Sequence, residues 1–139
     1  MKLITTERTE ITEPDTEDLN ILSGKIIDCA IQVHKKLGPG LLESAYQHAL
    51  AYLLSKNDIP FEKEKTISVM IDNFPIDAGY RADIIVGRKI IVEIKSVEKL
   101  LPIHQAQLLT YMKLGGFELG LLLNFNEQLL KNGIKRMKL

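Results

Sequence analysis

Two apolar runs joined by a short turn, RADIIVGRKIIVEIKS at residues 81–96, constrain the fold of this chain more than any other stretch. Runs rich in Ile and Val are typical of strands that are buried on both faces of a sheet. Asp83, Glu93 and Lys95 interrupt these runs, and a buried charge is costly unless another group compensates it. The stretch therefore predicts a central hairpin that carries compensated charges.

The turn between the two strands decides whether the two carboxylates can meet. In a strand, side chains two residues apart point to the same face, so Glu93 and Lys95 lie together. A two-residue turn would pair Asp83 with Val92 and send Asp83 to the opposite face. A three-residue connection, or a bulge near either acid, pairs Asp83 with Glu93 instead. We therefore predict such an irregularity.

Apolar periodicity predicts two helices before these strands. Apolar residues recur at helical spacing from Leu19 to Val33, after Asp15 or Thr16 as the cap, and the sequence LGPG ends this helix. A second helix follows, with an apolar face broad enough to pack against a sheet. The stretches EKEKTISVMI, IDAGYRADIIV and KIIVEIKS then predict three consecutive antiparallel strands.

The last third of the chain predicts a helix and one more buried strand. Pro102 opens the helix in LPIHQAQLLTYMKLGG, and the two final glycines stop it. The run ELGLLLNFN predicts a strand parallel to an earlier one, because a helix separates them. The basic tail is predicted to be an edge strand or a turn. The order α-α-β-β-β-α-β indicates an α/β sandwich, a mixed sheet flanked by helices.

Length and composition indicate a folded domain of ordinary size. A chain of 139 residues can bury a core without disulfides, and we expect one domain over residues 15–139 after a flexible acidic leader, residues 1–14. The remaining body is mildly basic, which permits nucleic-acid binding without requiring it. No apolar run approaches the roughly 20 residues that cross a bilayer, and the first residues are too polar for a secretory signal. We therefore expect a cytoplasmic protein with no membrane partner.

The three charges of the hairpin are of the kinds that phosphodiester hydrolysis uses. Two converging carboxylates raise each other's pKa unless a hard divalent cation lies between them. Mg²⁺ commonly binds one or two carboxylates together with substrate phosphate, and Mn²⁺ would fit nearly as well. Lys95 would reach the same edge, where it could orient the attacking water or neutralise developing phosphoryl charge. This spacing taken alone also fits a surface hairpin with incidental charges.

Two further motifs accompany these charges. The sequence GPGLLESAY contains Glu43 and Tyr46 at GxxExxY spacing. Glu43 falls in the first turn of a helix, where it could lend a third carboxylate and where the backbone dipole also favours an acid. The sequence QAQLLTY places Gln107 and Tyr111 on one helical face. His104 precedes that motif near the start of the same helix, where its imidazole could contact a phosphate.

In this order the motifs resemble those of the PD-(D/E)XK nuclease superfamily, close to its RecB-like branch. More narrowly, they resemble the small stand-alone proteins named after their GxxExxY signature. The resemblance covers about residues 19–139, and Ala82 stands where the family pattern has proline. It implies a restriction-endonuclease-like α/β sandwich and a metal-dependent nuclease, with Mg²⁺ as the cofactor and DNA as the expected nucleic acid.

The resemblance also implies roles for individual residues. Asp83 and Glu93 would be metal ligands, and Glu43 would be a further ligand or an orienting acid. The main-chain carbonyl of Ile94 would complete the metal shell, and Lys95 would be the catalytic lysine. The expected substrate-positioning residues are Gln107, Tyr111, Tyr46 and His104.

Two other interpretations stay open on the sequence alone. A nuclease-derived module could bind nucleic acid or a protein partner without catalysis, and a purely structural sandwich could pair its carboxylates with lysines. A chain of this length offers little surface for gripping a duplex, which leaves room for a homodimer or a protein partner. Carboxylates of Asp83 and Glu93 that lie far apart would favour the structural interpretation.

Overall fold

The structure, a computed structural model, describes residues 16–139, without the side chains of residues 16–18 and 77–79. The predicted acidic leader and Asp15 lie outside the described residues. Among residues 16–139, no helix combines the length and the apolar character that crossing a membrane requires. The helices and strands are α1 (Thr16–Leu37), α2 (Glu43–Lys56), β1 (Phe61–Ile71), β2 (Phe74–Val86), β3 (Ile90–Lys95), α3 (Pro102–Gly115), β4 (Leu119–Asn124), a 3-10 turn (Leu130–Gly133) and β5 (Ile134–Lys138).

The described strands form one mixed sheet in the order β1-β2-β3-β4-β5. Strands β1, β2 and β3 pair antiparallel, as predicted. Strand β4 runs parallel to β3 because α3 carries the chain back across the sheet. The basic tail forms β5, an antiparallel neighbour of β4. The predicted α/β sandwich with a mixed sheet is therefore confirmed.

Helices cover the two faces of the sheet unequally. Helices α1 and α2 pack on one face, here called the two-helix face, whose core includes Ile84, Val92 and Leu121. Helix α3 covers part of the other face, the one-helix face, around Leu108 and Leu122. Of the described residues, 20 belong to the first core and eight to the second. The larger core therefore lies under the two-helix face.

Val86, the last residue of β2, pairs with Ile90, the first residue of β3. The connection between the two strands therefore has three residues, 87–89. The same register, continued along both strands, places Asp83 opposite Glu93. One of the predicted irregularities, a three-residue connection, is therefore confirmed. It sets the register that allows the two acids to approach each other.

The strands β1 and β2 change face at the level of Asp83. Ala82 and Ile85 both pack on the one-helix face although three positions separate them, while Ile84 packs on the two-helix face. In β1, Glu64 lies opposite Asp83 in the register and has a positive φ of 52°. The interrupted alternation lets the Asp83 side chain turn towards β3.

Candidate active site

Asp83 and Glu93 lie at the point where β2 and β3 stop pairing. The last paired residues are Ile84 and Val92. Beyond them, the backbone N–H of Ile94 donates a hydrogen bond to Asp83 Oδ2 at 2.8 Å. The backbone N–H of Asp83 faces the Glu93 carboxylate and opposes the rise of its pKa. The Asp83 carboxylate thus takes the place of a hydrogen bond between the strands, and Glu93 lies opposite it in the register.

Burial makes ionisation of both acids costly. Desolvation raises the pKa of Glu93 from its ordinary 4.5 to about 7, although Lys95 opposes the change. Burial also raises the pKa of Asp83, against the hydrogen bond from Ile94. The negative charge of Glu43 raises both pKa values further. The neighbouring lysine compensates this acidic group only in part, a condition that favours binding of a cation.

Lys95 lies beside Glu93 on β3, two residues further along the strand. Its Nζ is 3.9 Å from Glu93 Oε2, and the two side chains are only 21% and 13% exposed. The Lys95 carbonyl accepts a hydrogen bond from the backbone N–H of Phe125 at 2.9 Å, which fixes the end of β3 against the chain that leaves β4. The ammonium is therefore held at the acids, as the strand alternation predicted.

Glu43 approaches the same edge from the first turn of α2. Its Oε2 accepts a hydrogen bond from the backbone N–H of Ser96 at 3.3 Å. The Ser96 hydroxyl donates to the carbonyl of Leu41 at 2.6 Å. The segment that leaves β3 is thereby tied to the loop before α2. Among the side chains that the structure describes, no group of three or more His, Cys, Asp or Glu is arranged to hold a metal ion.

Tyr46 does not reach the surface, which contradicts its predicted role in positioning the substrate. The side chain is fully buried and stacks on Phe125, with ring centroids 4.6 Å apart. Its hydroxyl donates to the carbonyl of Gly38 at 2.6 Å and accepts from the N–H of Leu41 at 3.1 Å. The tyrosine of the GxxExxY motif therefore anchors the loop that leads to Glu43.

Tyr111 contacts the site through Tyr80, a residue that the sequence analysis did not assign to it. The two rings are stacked, with centroids 3.5 Å apart and planes within 4°. The Tyr80 hydroxyl donates a hydrogen bond to Glu93 Oε1. Asp83 lies opposite Glu93, and in a strictly alternating strand Tyr80 would lie on the opposite face from Asp83. The contact between Tyr80 and Glu93 therefore depends on the face change at Asp83, which the sequence pattern does not indicate. The stack holds the Glu93 carboxylate from the one-helix face.

The other two predicted positioning residues lie on α3 away from these contacts. Gln107 is exposed, one helical turn before Tyr111. His104 is half-buried, and its Nδ1 accepts a hydrogen bond from the backbone N–H of Leu101 at 3.0 Å. That ring nitrogen caps the start of α3. Contact of Gln107 or His104 with a substrate stays a prediction.

Two buried amides, also absent from the sequence analysis, brace the site. Gln47 lies one helical turn after Glu43, and its Nε2 donates to the carbonyl of Asp83 at 3.2 Å. Asn124, at the end of β4, bonds both main-chain groups of Val97 at 2.9 and 3.1 Å. In the sequence, Gln47 is a polar residue on an otherwise apolar helix face, and this pattern could have indicated a buried amide. Gln47 thus fixes β2 at Asp83, and Asn124 fixes the segment that follows β3.

Comparison with known proteins assigns the family. A model of the PD-(D/E)XK nuclease superfamily matches residues 20–137. No curated protein matches the chain. A solved structure titled "Crystal structure of SSO0001" aligns with 70% of this chain at 25% identity and a TM-score of 0.47. The chain spans about half, 49%, of the length of that protein. Because the family match includes the whole described sheet apart from its last residue, this chain belongs to the PD-(D/E)XK nuclease superfamily.

Proposed function

We propose that this protein is a nuclease that hydrolyses phosphodiester bonds of DNA with Mg²⁺, or with Mn²⁺ in its place. The observation that carries the proposal is the hydrogen bond from the Ile94 N–H to Asp83 Oδ2, which joins the segments of Asp83 and Glu93 beside the Lys95 ammonium. Nucleases of this superfamily generally use divalent metal ions. The superfamily assignment and the local geometry therefore support the same chemistry.

The donor atoms at the site fit a hard cation. Asp83 and Glu93 supply carboxylate oxygens. Burial makes the negative charge of these carboxylates costly, and a bound cation would compensate it. The N–H of Ile94 faces Asp83, and in a strand the N–H and C=O of one residue point to the same side, so the Ile94 carbonyl faces that edge too. Two carboxylates and one carbonyl would leave positions for water and phosphate, as Mg²⁺ requires.

The protein's own groups would divide the remaining work. A bound divalent ion would make a water molecule more acidic and stabilise charge on the phosphate. The Lys95 ammonium would stabilise negative charge that develops during hydrolysis. Glu43 would hold the segment after β3 through Ser96, and Tyr80 would orient Glu93. Gln107 and His104, on the outer part of α3, would contact the nucleic-acid backbone.

Several finer assignments belong to the same proposal. We infer that the chain is a RecB-like protein of the GxxExxY type, because its GxxExxY segment supplies both Glu43 and the buried anchor Tyr46. We also propose a single cytoplasmic domain over residues 15–139. A homodimer or a protein partner would enlarge the surface available for nucleic acid. Each of these assignments can fail without affecting the metal-dependent chemistry at Asp83 and Glu93.

Cleavage assays with labelled single- and double-stranded DNA and RNA test the function. We expect cleavage that depends on added Mg²⁺ or Mn²⁺, with DNA preferred. Glu93→Ala and Lys95→Ala should each reduce the rate by about 100-fold or more, as loss of a group that stabilises transition-state charge does. The matched controls are the exposed residues Glu118 and Lys131, whose replacement by alanine should leave the rate unchanged.

The same assays separate the alternatives. Cleavage that persists in both active-site variants would come from a contaminating nuclease. Binding of nucleic acid with no cleavage at any metal concentration would favour a non-catalytic module. Isothermal titration of Mg²⁺ into the wild type and Glu93→Ala provides an independent measure, since the proposal requires weaker metal binding by the variant.

A further inference from the structure

The regular pairing of β1 with β2 is interrupted where Glu64 lies opposite Asp83. The residues on either side pair regularly, but Glu64 and Asp83 do not. The backbone of Glu64 has a φ of 52°, in the left-handed region that a glutamate adopts only at a cost. The other described non-glycine residues with a positive φ lie in turns: Asp58, Asp72, Asn73 and Arg88. Glu64 is therefore strained inside a strand, directly opposite an acid of the candidate active site.

Three polar side chains meet at this interruption. Glu64 Oε1 accepts a hydrogen bond from Arg81 Nη2 of β2, and Glu64 Oε2 accepts one from Gln47 Nε2 of α2 at 3.5 Å. The same Gln47 Nε2 donates to the carbonyl of Asp83 at 3.2 Å. Gln47 is only 8% exposed, so packing holds its amide in place. A side chain from α2 thus bonds the main chain of β2 at the level where β1 does not.

The contribution of these contacts to stability does not explain the strain. The Arg81 and Glu64 side chains are 64% and 51% exposed, and exposed ion pairs contribute little to folding. Residues in sparsely populated backbone conformations concentrate at functional sites, where the surrounding structure maintains them. The strain at Glu64 therefore points to a role in the geometry of the site.

Helix α2 connects the interruption to the rest of the site. Glu43 and Gln47 lie one helical turn apart and share a face of α2. Glu43 accepts a hydrogen bond from the N–H of Ser96, directly after β3, and Gln47 donates one to the Asp83 carbonyl in β2. One helix face therefore bonds β2 and the segment after β3 beyond the point where the two strands stop pairing.

We propose that Glu64 and Gln47 are positioning residues for Asp83. Gln47 holds the peptide that follows Asp83, and the left-handed backbone of Glu64 keeps β1 from pairing with Asp83. Without that pairing, the Asp83 side chain can turn to accept the hydrogen bond from the Ile94 N–H. Both residues act through Asp83 and need no contact with an ion or a substrate. Where it concerns metal binding, the inference rests on the proposed function.

Two substitutions in the full-length chain test the inference. Glu64→Gly removes the carboxylate and also removes the cost of the positive φ, so the fold is not endangered. Gln47→Met keeps the length of the side chain and removes its donor. Asp72→Gly is the matched control, because Asp72 has a φ of 51° in the turn between β1 and β2. Its replacement by glycine relieves the same backbone cost without touching the contacts of Gln47 and Glu64.

Hydrogen exchange of single backbone amides, followed by NMR in the metal-free protein, is the main measurement. We expect the Ile94 N–H to exchange about 10-fold faster in Glu64→Gly and in Gln47→Met, the order expected for one weakened hydrogen bond. The Val92 N–H lies on the same edge of β3 and should keep its wild-type rate. The thermal midpoint of Glu64→Gly should be no lower than that of the wild type, and Asp72→Gly should match the wild type at Ile94.

Isothermal titration with Mg²⁺ provides the second measurement. Both site variants should bind Mg²⁺ about 10-fold more weakly, as loss of an outer partner of a ligand does. Asp72→Gly should bind Mg²⁺ as the wild type does. A role confined to stability would instead change the thermal midpoint and leave the Mg²⁺ affinity of the folded variants unaltered.

The outcomes distinguish this inference from the proposed function. An Ile94 exchange rate unchanged in both variants would overturn the inference and keep the nuclease. Faster exchange at Ile94 and Val92 alike, with a lower thermal midpoint for Glu64→Gly, would also overturn it. So would faster exchange at Ile94 alone with Mg²⁺ binding equal to that of the wild type. Faster exchange at Ile94 alone, in a protein whose wild type neither binds Mg²⁺ nor cleaves DNA, would keep the positioning of Asp83 and overturn the proposed function.

Discussion

The two-helix face and the one-helix face of the sheet differ in what their side chains do. On the two-helix face, β3 contributes Ile90, Val92 and Ile94, which are essentially inaccessible to solvent. On the one-helix face, the same strand contributes Ile91 to the smaller core and then Glu93 at the site. The side chains of β3 on the two-helix face thus pack in the larger core, and those on the one-helix face include the acid of the candidate active site.

This difference explains how the fold tolerates an acid as costly to ionise as Glu93. Burying a charged group is unfavourable, and burying aliphatic side chains is the main favourable contribution to folding. Because the strand that carries Glu93 is fixed by the larger core behind it, the acid can be held without apolar neighbours on every side. The division predicts that substitutions on the two faces have different effects.

The largest effect on stability is expected from a cavity under the two-helix face. Leu121 and Leu122 are adjacent in β4, fully buried, and belong to opposite cores. Leu121→Ala should reduce the free energy of unfolding by about 2–5 kcal/mol. Leu122→Ala should cost less, because a core covered by one helix can relax into the space. Urea unfolding measures both, and equal losses would contradict the proposed division.

The next effect is a pH dependence of stability in the metal-free protein. The pKa of Glu93 is about 7 in the folded protein against an ordinary 4.5. Between these values the folded state binds more protons than the unfolded state, so stability must fall as the pH rises. At about 1.4 kcal/mol per pKa unit, the loss between pH 4 and pH 8 is about 3 kcal/mol. The raised pKa of Asp83 acts in the same direction.

Glu93→Gln is the control for this pH dependence. The variant should be the more stable protein at pH 8 without metal, and its stability should vary less with pH. Mg²⁺ should stabilise the wild type at pH 8 more than at pH 5, because the ion binds the deprotonated acids. Urea unfolding across this pH range, with and without Mg²⁺, measures each effect. A wild type whose stability rises with pH would show that the Glu93 pKa is not raised.

The arrangement of the sheet and its central register could be predicted from the sequence. Near-continuous Ile and Val runs identified β2 and β3, and the parity of Asp83 and Glu93 required an irregular connection that the structure contains. The helix between β3 and β4 indicated their parallel pairing. These features follow from local patterns, because alternation and connection length are properties of the chain itself.

The roles of the tyrosines could not be predicted in the same way. Tyr46 fits its motif equally well as a surface or a buried residue, and only its stacking on Phe125 decides between them. The Tyr80 hydroxyl reaches Glu93 because the alternation of side chains between the two faces is interrupted in both β1 and β2, at Glu64 and Asp83. That change involves pairing between distant segments, which no single-strand pattern records.

A smaller effect is expected from the buried hydroxyl of Tyr46. Tyr46→Phe keeps the ring on Phe125 but leaves the Gly38 carbonyl and the Leu41 N–H without this partner. Loss of such buried hydrogen bonds should cost about 1–3 kcal/mol of stability. Thermal unfolding measures the loss, and KM for DNA should be unchanged at temperatures where the variant is folded. A higher KM with unaltered stability would restore Tyr46 to a role at the substrate.

The smallest effect concerns the hydroxyl of Tyr80, which bonds Glu93 from the one-helix face. Tyr80→Phe should weaken metal binding by about 10-fold, as loss of an outer partner of a ligand does. Tb³⁺ is a suitable probe because the chain has four tyrosines and no tryptophan, and Tyr111 remains beside the site to sensitise emission. The midpoint of the titration, rather than its amplitude, reports affinity. Exposed Tyr52 is the matched control, and its replacement by Phe should leave the midpoint unchanged. Tighter Tb³⁺ binding by Tyr80→Phe would mean that the hydroxyl competes with the metal for Glu93, and the one-helix face would then restrain the site instead of supporting it.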